Sequence, residues 1–234
     1  MILQRLATSI RKQDWFTVLI ETLIVVLGVF LGLQVNNWNE ASQAHSREAI
    51  ILEQLATEFT AAVEQTKRAS DRNDILLDAT RKVLGIVRAG QEPKDGAGFL
   101  ESLELAGSFV AGPPEPVTLT ELLSTGGLSA LSSADLRTAL VQYHETSEQQ
   151  KEMSGLVLAR LSTPLDGFHD AIFVNPDYRG PTDVFLDGYE WEQIEHTRQQ
   201  FQVLMIGRVS LGSILEEQIN RSETVLAEIE AYRQ

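Results

Sequence analysis

The 234-residue chain contains no cysteine, which excludes disulfides, thiolate metal sites and thiol catalysis together. Positive charge is scarce: after Arg5, Arg11 and Lys12 the next basic residue is Arg47. Residues 36–234 hold 16 Lys and Arg against 31 Asp and Glu, a net charge of −15. A domain of that charge repels nucleic acid and anionic lipid surfaces. Glycine and proline are missing from Gln34 to Leu84, so nothing in the backbone obliges a helix to stop there. No GxSxG elbow, P-loop, GxGxxG turn, EF-hand loop or HExxH pair occurs, and the expectation is a non-enzymatic protein with no catalytic residues, no cofactor and no metal.

Charge is also nearly missing from Trp15 to Val35, where Glu21 stands alone in 21 residues. At about 1.5 Å per residue this stretch spans roughly 31 Å, close to the hydrocarbon thickness of a bilayer. Trp15, Phe16 and Trp38 are placed as interfacial anchors. The pattern predicts one transmembrane helix at 15–35, a cytoplasmic segment at 1–14 and a periplasmic domain at 36–234. Three basic residues before the span and none soon after it put the N-terminus on the cytoplasmic side of a bacterial inner membrane. A cleaved signal peptide is the rival reading, but the apolar run exceeds a typical signal core and no clear small-x-small site follows, so an uncleaved anchor is expected. Within 1–14, Ile2, Leu3, Leu6 and Ile10 share a helical face that fits a short interfacial helix, with a frayed basic tail as the alternative.

Beyond the span, Leu52, Leu55, Phe59, Ala62, Thr66, Ala69, Asn73, Leu76, Thr80, Val83 and Val87 alternate steps of three and four. That is a period-3.5 seam with polar interruptions at Thr66, Asn73 and Thr80. Asp71 to Asp74 could mark a break, but a continuous helix is favoured. Turn chemistry at Gly90–Gly98 and Gly112–Pro116 leaves at most a short helix between them. Thr118 with Glu121 forms a capping-box pattern, closed by Gly126 and Gly127. Ser132 with Asp135 opens the next helix, which stops before Pro164. Trp191 to Tyr232 repeats Ile194, Phe201, Leu204, Leu211, Leu215, Ile219, Leu226 and Ile229 at helical spacing. No segment shows sustained strand alternation. The fold class expected is all-α, a transmembrane helix continuing into an elongated antiparallel helical bundle.

Three groups of residues are candidates for contact. Glu21, Val25, Gly28 and Gly32 fall on one helical stripe; a carboxylate inside a span costs a few kcal/mol, and a GxxxG pair permits close helix approach. That stripe predicts a partner face, against the alternatives of a carboxylate drawn to the inner interface or a proton path. Gln34, Asn36, Asn37, Trp38, Asn39 and Glu40 form a belt that serves either headgroup hydrogen bonding or interhelical amide contacts. Phe168, Phe173, Tyr178, Phe185, Tyr189 and Trp191 cluster in a proline- and glycine-rich stretch that reads as a core plug or a docking loop. His45, His144, His169 and His196 show no recognisable ligand spacing.

ETLIVVLGVFLGLQVNNWNE and LTELLSTGGLSALSSADLRTALVQYHE together resemble a bacterial family of single-span membrane proteins known only as a domain of unknown function. The matching positions are Glu21, Gly28, Gln34 and Asn37 to Glu40, then Ser124 to Gly126 and Leu136 to Tyr143. The resemblance implies the topology and no activity. These readings point to a membrane-anchored accessory or assembly subunit that associates with itself or with other integral membrane proteins in the lipid. The alternative is a periplasmic sensor or ligand-binding module signalling laterally to a partner.

Overall fold

A computed structural model describes residues 15–110, 115–162, 170–180 and 185–233. The expected interfacial helix at 1–14, Gly112 to Pro114, Phe168, His169 and the side chains of Trp15 and Phe16 lie outside the described residues. The protein is all-α apart from one short hairpin. Helix α1 runs unbroken over Trp15–Ala89, followed by α2 (Gly96–Gly107), α3 (Val117–Thr125), a 3-10 turn (Gly127–Ala130) and α4 (Ala134–Ser162). Strands β1 (Ile172–Val174) and β2 (Leu186–Tyr189) pair antiparallel, and the chain ends in α5 (Trp191–Ile194), a 3-10 turn and α6 (Arg198–Arg233). The chain divides into two compact units, Met1–Ile51 and Leu52–Gln234.

In the second unit, all eleven seam positions of α1 are buried. Asp71 to Asp74 do not break the helix. The seam is covered by α4 and α6. Phe59 meets Tyr143 of α4 edge-on, with ring centroids 4.7 Å apart, and Lys67 pairs with Glu223 of α6 at 2.8 Å. Asn73 packs further down α6, its amide donating to the Arg208 carbonyl at 3.0 Å. Contacts that rise along α1 as they fall along α6 make those two antiparallel. Gln142 and Tyr143 face Arg221 and Gln218, so α4 is likewise antiparallel to α6 and therefore parallel to α1. Of the chain between them, α2 packs at the Val83–Val87 end of α1 and α3 begins beside Glu58.

Buried polar residues in the seam bond locally or across helices. Thr66 and Thr80 donate to the carbonyls four residues earlier at 2.7 Å, the usual solution for a buried helical hydroxyl. Gly212 lets α6 approach Asn73, because a Cβ there would lie 3.3 Å from the amide nitrogen. At the Ala89 end of α1, Val83, Leu84 and Val87 join Phe99, Leu103, Ala171, Leu186, Ile194 and Phe201 in one apolar cluster.

Helix boundaries correct the sequence reading in two places. The Thr118–Glu121 capping box does not form. Helix α3 begins at Val117 behind Pro116, and Glu58 of α1 takes the capping role: its carboxylate accepts from the Thr118 N–H at 2.9 Å and the Thr118 hydroxyl at 2.8 Å. The α4 cap is Ser133 rather than Ser132, with its hydroxyl accepting from the Leu136 N–H at 3.1 Å. Gly126 closes α3 as expected, in the left-handed region at φ 72°.

Candidate functional site

In the first unit every side chain from Leu19 to Arg47 is exposed. Glu21, Val25, Gly28 and Gly32 lie along this uncovered helix, and nothing approaches within 4 Å of where a Cβ would stand on either glycine. The helix is long and apolar enough to cross a membrane, its most apolar 18-residue window reaching a mean hydropathy of 2.4 with none of it buried. The polar belt is equally uncovered. Within it the Asn36 amide donates to Glu40 at 2.7 Å, one turn on, and Gly32, Val35, Asn36, Trp38, Asn39 and Ser42 line an open notch along the helix.

The aromatic stretch divides into two functions. Tyr189 and Trp191 pack against the cluster around Phe99, both edge-on to that ring, at centroid distances of 5.0 and 6.0 Å. Phe173, Tyr178 and Phe185 remain exposed on the hairpin, where Tyr178 and Phe185 form an edge pair at 5.2 Å. The hairpin was not legible as strands because its three and four residues are too short for alternation to register.

Two polar centres in the second unit have no counterpart in the sequence motifs. Arg208 is fully buried, yet no carboxylate is among its hydrogen-bond partners. Its guanidinium donates to Thr80 Oγ1 at 3.1 Å and to the carbonyls of Ala106 and Ser108 at 2.9 and 2.5 Å. Those carbonyls close the C-terminus of α2, the negative end of its dipole, so the helix end serves as counter-charge. Burial, with Arg72 adding repulsion, pushes the guanidinium down to about 10, which still leaves it charged at neutral pH. Arg208 Nη1 and Asn73 Oδ1 have no hydrogen-bond partner. The polar interruptions at Asn73 and Thr80 were the sequence signal for this buried cation.

The second centre surrounds Glu115. Its carboxylate, 11% exposed, meets His144 Nδ1 at 2.5 Å and Lys151 Nζ at 3.3 Å, and Lys151 also reaches Glu148 at 2.6 Å. The hydrogen bond from Lys151 holds the Glu148 carboxyl below its ordinary value, and the same bond raises the lysine. His144 and Glu148 stand four residues apart on one face of α4, while Glu115 arrives from the segment before α3. His144 shows no ligand spacing in sequence because its partner Glu115 lies 29 residues away and reaches it only through the fold. Compared with known proteins, the chain matches no family model, no curated protein and no solved structure.

Proposed function

We propose that this chain is a non-enzymatic, membrane-anchored accessory or assembly subunit whose exposed helix docks in the bilayer against another integral membrane protein or a second copy. The observation that carries this reading is the unbroken run of exposed side chains from Leu19 to Arg47, which includes the apolar span and finds no cover among the described residues. An apolar helix of that length is stable in lipid, where its backbone groups are satisfied internally. The stripe of Glu21, Gly28 and Gly32 favours a partner over lipid alone. Charge flanking supports an inner-membrane location with residues 36–234 on the periplasmic side, in keeping with the family that the span resembles.

The test is gentle extraction of the intact protein from its native membrane, followed by the mass and composition of the particle. Expected is a particle containing other integral proteins or several copies, which Glu21→Ala combined with Gly28→Leu disperses. A monomer whose behaviour both substitutions leave unchanged removes the support for docking through this face.

A further inference from the structure

We infer that Glu115, His144 and Glu148 form a binding site for a divalent transition cation of the zinc class, gated by Lys151. The donor atoms of the three residues lie within 4.8 Å of one another. They come from two separate elements, with the imidazole and one carboxylate at the i, i+4 spacing that lets a helix present two ligands together. An imidazole with two carboxylates suits zinc better than magnesium or calcium, which favour all-oxygen shells. Ligand distances of about 2.0–2.2 Å would set neighbouring donor atoms roughly 3.4 Å apart, so small side-chain rotations close the shell and leave a fourth position for water. The structure already places a cation between the two carboxylates: the Lys151 ammonium contacts both Glu115 and Glu148. Lys151 is 47% exposed, and its flexible stem can swing into solvent when a metal takes that place.

Tag-free full chain in detergent and metal-free buffer is titrated calorimetrically with zinc chloride alone. Expected is one saturable site per chain, weakened about tenfold or more by His144→Ala and by Glu115→Gln. Lys151→Met, which removes the competing ammonium, should tighten binding by a comparable factor. That gain cannot arise from a damaged fold, so it separates the site from a merely structural role of the network. Cobalt binding with a visible absorption band that His144→Ala abolishes supports the imidazole as ligand. The inference is overturned by absence of saturable uptake, by wild-type affinity in both ligand variants, or by weaker binding in Lys151→Met.

Discussion

Replacing Arg208 by lysine should destabilise the protein more than replacing it by methionine, although lysine preserves the charge. The depression of Arg208 below the ordinary guanidinium value, to about 10, corresponds to about 3 kcal/mol of net cost for holding the cation inside the bundle. Methionine removes that cost and fills most of the stem volume, but it strips the Ala106 and Ser108 carbonyls of their donor. Each orphaned carbonyl costs about 1–3 kcal/mol, and Thr80 keeps its own bond to the Leu76 carbonyl. The balance for Arg208→Met runs from a gain of about 1 to a loss of about 3 kcal/mol. Lysine retains the desolvation cost, and its compact ammonium cannot reproduce a fork that reaches Thr80 on α1 and the end of α2 at once. Losing two charge-assisted bonds at about 1.5–3 kcal/mol each puts Arg208→Lys about 3–6 kcal/mol below wild type. Denaturant unfolding of the full chain in mild detergent, followed by circular dichroism, measures both. A lysine variant equal to or more stable than the methionine variant would refute the claim that the fork, rather than the charge, secures the end of α2.

Glu58→Ala should cost about 1–2 kcal/mol by uncapping α3, and hydrogen exchange should show faster amide exchange at Thr118 while the core of α6 stays protected. Phe59→Ala empties a fully buried site against Tyr143, and a loss of about 3–5 kcal/mol is expected in the same melts. Alkaline pH should weaken the fold through Tyr143, whose phenol is raised above 10.0 by burial first, with the Glu115 charge adding to it. The unfolded phenol ionises first, so this contribution is intact below about pH 10 and is lost as pH rises through the higher folded value; Tyr143→Phe should flatten that decline. At the acid end, Glu148 is held low by Lys151, so its contribution is present above the ordinary carboxylate value and lost as pH falls through the lower folded one. Glu148→Gln should reduce the acid sensitivity of unfolding, and an unchanged acid limb would count against the pair.

The seam of α1 was legible because burial and helix periodicity are the same information: each of its eleven positions is buried. Helix ends marked by local chemistry, such as Gly126, were also readable. The capping of Thr118 was not, since Glu58 lies sixty residues away and reads in sequence as one more solvated acid. Arg208 was hidden for a related reason. Its spacing, four residues after Leu204 and three before Leu211, sets it on the apolar stripe, but its partners at Thr80 and the end of α2 stand on other elements that the sequence does not bring together. Glu115 and His144 likewise meet through tertiary structure alone. Glu58, Arg208 and Glu115 each act across elements, and single-chain spacing carries little record of that.

The parallel pairing of α1 with α4 orders the biogenesis of the bundle. A helix hairpin would let α1 cover its seam with the segment made immediately after it, but here the covering helices begin at Ala134 and Arg198. During synthesis only its Val83–Val87 end can meet α2 early, and most of the seam waits, uncovered, until nearly the whole chain exists. Thr66, Asn73 and Thr80, spaced evenly along it, interrupt what would otherwise be a continuous sticky edge and lower the risk that waiting chains pair with one another.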